Sequence, residues 1–161
     1  MHEFSISQNE STDILYRDLV AAAEALTDNE PDAIANMANI SALIWQYIPD
    51  LNWAGFYRVI NDELVLGPFQ GKTACIRIAM GKGVCGTAAA TNSVQRIADV
   101  HSFPGHIACD ADSRSELVVP VCQEGKVIAV MDLDSPLADR FSQEDEARMM
   151  SLIAAIANRL G

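Results

Sequence analysis

Hydrophobic spacing divides the chain into a helical start, a β-rich middle and a helical end. Ile14, Leu15, Leu19, Ala22 and Leu26 recur at helical intervals, with Ser11 or Thr12 ahead of them as a cap. A second helix is predicted as far as about Tyr47. It carries Ile34, Met37, Ile40, Leu43 and Ile44 on one face, Pro31 in its first turn and Pro49 beyond its end. The pattern then becomes strand-like: 53–60 and 63–69 are apolar runs joined by Asn61-Asp62, which predicts a hairpin. Residues 75–79 read as a short strand, 87–91 as a short helix entered from the glycine-rich 81–86, and 94–97 as another short strand. The stretch 99–114 is polar and irregular, and a loop that long in a compact domain is usually functional. Strands are predicted over 116–122 and 126–134. A last helix runs from Ser142, which forms a capping box with Asp145, to Leu160. This order predicts an α+β domain: a central antiparallel sheet with helices packed on one face.

The final hairpin carries the first hint of chemistry. A three-residue loop fits Gln123-Glu124-Gly125, with the glycine in the left-handed position. Cys122 then opposes Lys126, Pro120 opposes Ile128, Val118 opposes Val130 and Glu116 opposes Asp132. Side chains alternate along a strand, so Glu116, Asp132 and Asp134 share one face. A two-residue loop would instead set Glu116 on the opposite face from the aspartates. Three carboxylates together are unfavourable unless water or a ligand compensates them. One reading is a solvated strand end. The other is a pocket wall that binds an ammonium group and keeps one carboxyl protonated as a donor.

Composition narrows the classes. The 161 residues suit one domain, with residues 1–10 as an N-terminal extension. A formal charge of −11 disfavours nucleic acid and anionic membrane surfaces as partners. Met1-His2-Glu3-Phe4-Ser5 lacks the basic-then-apolar order of a secretory signal, so the expected compartment is the cytoplasm. Cys75, Cys85, Cys109 and Cys122 are then thiols at rest. No C-x-x-C occurs, and His106 with Cys109 finds no further residues at ligand spacing, so no metal is expected; His101 and His106 read as loop or supporting residues. Cys122 and Cys75 read as packing residues in apolar strands. Cys85 stands at a glycine-flanked helix start and Cys109 in the long loop, where backbone N–H groups can lower a thiol pKa and make a nucleophile. Gly81-x-Gly83-x-x-Gly86 imitates the dinucleotide fingerprint, but no βαβ unit surrounds it, so the glycines are read as loop and close-packing residues. Trp53 and Tyr57 alternate about Gly55. They are either core aromatics or the wall of a pocket in which the glycine leaves room for a ligand.

Several runs together resemble the free methionine-(R)-sulfoxide reductases, a catalytic branch of the GAF domain. They are 52–57 (NWAGFY), 66–71 (LGPFQG), 74–78 (ACIRI), 81–86 (GKGVCG), 105–110 (GHIACD), 113–116 (SRSE) and 131–135 (MDLDS). The resemblance runs from about Leu15 to the last helix. It implies a single GAF-like domain with a loop-covered pocket. It implies Cys109 as nucleophile, Cys75 and Cys85 as the other redox cysteines, either of which resolves the intermediate, and Cys122 as structural. It also implies Glu116, Asp132 and Asp134 as the acidic substrate site, with Glu116 among the catalytic groups, and Trp53 and Tyr57 as its aromatic wall. Backbone N–H groups around Ile107 and Ala108 would hold the substrate carboxylate. The expected reaction converts free methionine-(R)-sulfoxide to methionine through a cysteine sulfenic acid and a disulfide, with no bound cofactor and thioredoxin as external reductant. A homodimer built on the helical face is also expected. The rival class is a non-catalytic GAF sensor, which leaves the three spaced cysteines unexplained.

Overall fold

The computed structural model describes residues 12–105 and 110–161. The helices are α1 (Thr12–Thr27), α2 (Ala33–Tyr47), α3 (Gly83–Thr91) and α4 (Gln143–Ile156). The strands are β1 (Trp53–Ile60), β2 (Glu63–Gly71), β3 (Arg77–Ala79), β4 (Gln95–Ile97), β5 (Ser115–Gln123) and β6 (Lys126–Ser135). They form one antiparallel sheet in the order β3-β2-β1-β6-β5-β4. No helix among the described residues is long and apolar enough to cross a membrane.

Helix ends follow their side chains. Asp32 caps α2 by accepting from the Ala35 N–H at 2.8 Å, so Pro31 lies just outside the helix and not in its first turn. The expected capping box at α4 is present: Ser142 Oγ accepts from the Asp145 N–H, and Asp145 accepts from the Ser142 N–H. Ser11, the other expected cap, lies outside the described residues. Helix α3 starts four residues before the predicted 87, because its glycines permit contact where they had suggested a loop. A Cβ on Gly86 would stand 2.4 Å from the Ala79 carbonyl oxygen, so only glycine lets this turn press against β3. The strand predicted over 75–79 shortens to β3, which leaves Cys75 outside it.

The β5–β6 hairpin corrects the predicted register. Its turn has two residues, Glu124 and Gly125, both at positive φ, and Gln123 opposes Lys126. A bulge follows: Cys122 opposes Val127, but Val121 opposes Ala129, so Ile128 is the extra residue. That extra residue restores the parity that a two-residue turn had removed. Glu116 therefore opposes Asp134, not Asp132, while Asp132 opposes Val118. All three carboxylates still share one sheet face, for a reason the sequence reading had placed in the loop.

The core has two layers. Leu19, Met37, Ile40, Ile44, Phe56, Leu117, Met131, Leu133, Leu152 and Ile156 join α1, α2 and α4 to one sheet face. On the other face Trp53, Tyr57, Val118 and Val130 pack with Val84, Cys85 and Ala88 of α3. So three helices lie where they were expected, and α3 is the exception that encloses the opposite face.

Candidate active site

A cavity of about 40 Å³ lies between that face and α3. Strand alternation delivers Trp53 and Tyr57 from β1, Glu116 from β5, and Asp132 and Asp134 from β6. Cys85 comes from the first turn of α3. Thr73, Ala74, Ile78, Lys82, Gly83, Asp110 and Ser113 complete the lining.

The aromatic wall is a stack. Trp53 lies between Tyr57, at 5.8 Å between centroids, and Phe69, at 5.2 Å. Phe69 also occupies the space over Gly55, where a Cβ would meet the Phe69 Cβ at 2.4 Å. The glycine thus makes room for a side chain of the protein, not for a ligand. Both aromatics also hold the segment that carries Cys75. Trp53 Nε1 donates to the Lys72 carbonyl at 3.2 Å, and the Tyr57 hydroxyl donates to the Cys75 carbonyl at 3.0 Å.

Two carboxylates of the acidic wall are buried, Glu116 and Asp132 each 6% exposed, and Asp134 beside them is half-buried. Burial pushes the Glu116 carboxyl well above the usual carboxylate range, and Asp132 and Asp134 push it further. Asp132 is pushed up to about 6 by burial, against the pull of hydrogen bonds from Cys85 and Glu116. Asp134 is raised by burial and by Asp132, while Ser113 pulls it back. Such a cluster holds protons in common at neutral pH, so it can donate one or exchange protons for a cation. Asp132 Oδ1 is buried without a hydrogen-bond partner. Cys85 Sγ lies 3.9 Å from Glu116 Oε1. Burial, followed by the charges of Asp132 and Glu116, drives the Cys85 thiol upward, so it stays protonated and is a poor nucleophile as it stands. One ligand atom each from Cys85, Glu116 and Asp132 fall within 4.8 Å of one another, a spacing a metal ion could bridge.

Cys75 is disulfide-bonded, whereas Cys85 and Cys122 are free thiols. Cys122 is half-exposed, its Sγ 3.0 Å from Asn92 Oδ1, and not the buried packing residue expected, because the bulge lies beside it at the sheet's end. Ile107, Ala108, Cys109 and His106 lie outside the described residues. His101 stands away from the cavity, with Nδ1 2.8 Å from Asp99 Oδ1.

The sequence reading assigned no role to Asn52, Lys72, Asp110 or Ser113. Asn52 Nδ2 donates to Asp110 and Ser113, and Lys72 Nζ pairs with Asp110 at 3.4 Å and with Asp112. This network ties the end of β2 to the segment entering β5 across the cavity mouth. Its only trace in the sequence is the place of these residues beside Trp53, Cys75 and Cys109.

The GAF domain model matches residues 35–160. The free methionine-R-sulfoxide reductase of Escherichia coli (strain K12) is 52% identical over 141 residues, 88% of this chain and 86% of that one. The enzyme of that name from Saccharomyces cerevisiae is 40% identical over 161 residues, covering 95% and 89% of the two chains. Among solved structures, the X-ray structure of the free methionine-R-sulfoxide reductase from Neisseria meningitidis in complex with its substrate superposes with a TM-score of 0.94. It is 39% identical, with coverage of 99% of this chain and 96% of that one. With this degree of identity along nearly its whole length, the chain belongs to the GAF family and, within it, to the free methionine-R-sulfoxide reductases.

Proposed function

We propose that this protein reduces free methionine-(R)-sulfoxide to methionine at the cavity between the sheet and α3. The observation that carries the reading is a three-carboxylate wall, two of its members buried, on the cavity that Trp53 and Tyr57 also line, with a disulfide-bonded cysteine, Cys75, beside it. The substrate's ammonium would take the place of protons on Asp132 and Asp134. Its methyl group would rest on Trp53, and backbone N–H groups at Ile107 and Ala108 would hold its carboxylate. The Cys109 thiolate attacks the sulfoxide sulfur, and the oxygen passes to the cysteine as its bond to methionine breaks. Glu116, protonated, supplies the proton. Methionine leaves, and Cys109 is a sulfenic acid. Cys75 then attacks that sulfur, water departs, and a disulfide forms that an external dithiol such as thioredoxin reduces. Cys75 suits this resolving role better than Cys85, whose thiol is buried among carboxylates that suppress its ionisation. No bound cofactor enters the scheme. The cytoplasm is the proposed compartment and a homodimer the proposed assembly.

The test is NADPH consumption coupled through thioredoxin with free methionine-(R)-sulfoxide as substrate. Turnover that requires both the sulfoxide and thioredoxin is expected. Binding of the sulfoxide without turnover would point instead to a sensor.

A further inference from the structure

We propose that Cys85, Glu116 and Asp132 form a binding site for a thiophilic divalent cation such as Zn²⁺, and that the ion excludes the substrate ammonium from the same wall. Tetrahedral ligands around Zn²⁺, with Zn–S near 2.3 Å and Zn–O near 2.1 Å, stand roughly 3.3–3.7 Å apart. Cys85 Sγ and Glu116 Oε1 are already 3.9 Å apart, and the three ligand atoms lie within 4.8 Å of one another. Small side-chain rotations close the difference. All three residues belong to regular elements, the first turn of α3, the start of β5 and the second half of β6, so the donors are held together before any ion arrives.

An independent observation points to a ligand here. Asp132 is 6% exposed, lines the cavity, and has a buried Oδ1 with no hydrogen-bond partner. A lone pair in that position costs free energy until a donor or a cation meets it. The donor set selects the ion. A thiolate with two carboxylates suits Zn²⁺, Cd²⁺ or Co²⁺, whereas Mg²⁺ and Ca²⁺ require six or more oxygens. Three protein ligands leave one tetrahedral position for water. Binding replaces protons on the thiol and carboxyls by the metal, so the balance is one ion in and protons out.

The function proposed above enters only where the ion and the amino acid compete. Under that reading, zinc takes Asp132, one of the two aspartates that receive the ammonium, together with Glu116, the proton donor, and rising free zinc switches the enzyme off reversibly without oxidising a cysteine.

The experiment uses Co²⁺ and the full chain in its disulfide form, where Cys85 and Cys122 are free thiols. A thiolate-to-cobalt charge-transfer band in the near ultraviolet is expected on titration, with displacement by Zn²⁺ and not by Mg²⁺. The band should vanish in Cys85→Ser, persist in Cys122→Ser, and need at least about tenfold more cobalt in Asp132→Asn. Circular dichroism verifies that each variant is folded, and Cys85→Ala repeats the first arm should the serine variant unfold. No band, or a band that survives loss of Cys85, overturns the site. Free methionine is the second probe. If methionine displaces the ion, the two share a wall. A band that depends on Cys85 but ignores methionine upholds the metal site and counts against reading the cavity as the substrate site.

Discussion

The three described cysteines differ in their surroundings. Cys85 is walled in by carboxylates that keep it protonated, Cys75 is held in a disulfide by a backbone anchored to Trp53 and Tyr57, and Cys122 stands half-exposed beside Asn92. Cys109 is the nucleophile that the family resemblance implies and the proposed function uses. Cys109→Ser is therefore expected to abolish thioredoxin-coupled turnover, because a hydroxyl does not replace a thiolate here, while Cys122→Ser keeps nearly all of it. A folded but inactive Cys122→Ser would place that thiol in the relay. The carboxylates make a second prediction, about pH. Asp132 is raised from 3.8 to about 6 in the folded state. The native protein thus binds more protons than the unfolded chain between those values, and stability attributable to this group falls as pH rises through the window. Asp132→Asn removes the penalty. Its melting temperature relative to the parent should rise between pH 4 and pH 7, by the equivalent of about 1–3 kcal/mol, while turnover falls. Equal melting profiles for the two proteins would show that Asp132 is not ionising under strain.

At the scale of elements, much was legible because it is local. Period and caps place α1, α2, β1 and α4 within a few residues, and the Ser142–Asp145 box was visible as a pair three residues apart. What escaped depends on contacts between elements. Glycines in 81–86 read as loop, yet Gly86 is glycine because Ala79 backbone occupies the space a side chain would need. The two-residue turn and the bulge at Ile128 cancel each other, so the hydrophobic pattern fixes the shared face of Glu116, Asp132 and Asp134 without disclosing which device produces it. Asn52, Asp110 and Ser113 are far apart in the chain and meet only in the fold; in the sequence they show only as neighbours of Trp53, Cys109 and Glu116. The bulge is testable. Deleting Ile128 leaves Cys122 opposite Val127 and Val121 opposite Ala129 in a regular ladder, so the site should survive at a cost of about 1–2 kcal/mol for the lost side chain. Circular dichroism and turnover are the measurements; a folded variant that has lost turnover would mean that the bulge itself shapes the site.

At the scale of the whole molecule, three helices cover one side of the sheet and leave chemistry to the other. The covered side carries its own surplus. Helix α2 contains no charged residue, and Ile34 and Trp45 on its outer face are 42% and 39% exposed in a chain of charge −11. Light scattering at micromolar concentration is expected to give the mass of a homodimer, reduced to that of a monomer by Trp45→Glu. On the opposite side the cavity is closed by the sheet beneath, α3 above and the Lys72–Asp110 tie at its mouth. That enclosure bears on which form of the substrate is accepted. A free amino acid carries an ammonium that can balance the carboxylates of Glu116, Asp132 and Asp134. Within a peptide the ammonium becomes a neutral amide, and the chain must leave past the same mouth. Such a substrate loses the charge compensation and also obstructs the surrounding segments that orient the sulfoxide, so kcat should fall together with affinity. The comparison is free methionine-(R)-sulfoxide, its S epimer and N-acetyl-methionine-(R)-sulfoxide. The free R form should exceed the acetylated one by at least about a hundredfold in kcat/KM, the equivalent of roughly 3 kcal/mol of lost ion pairing. Anchoring both the ammonium and the methyl group lets only one epimer turn its oxygen toward Glu116; membership of the family makes that the R epimer, so the S epimer should be a poor substrate that still binds. Comparable kcat/KM for the acetylated compound would mean that Glu116, Asp132 and Asp134 do not read the ammonium, and the proton-holding cluster would then need another cation to explain it.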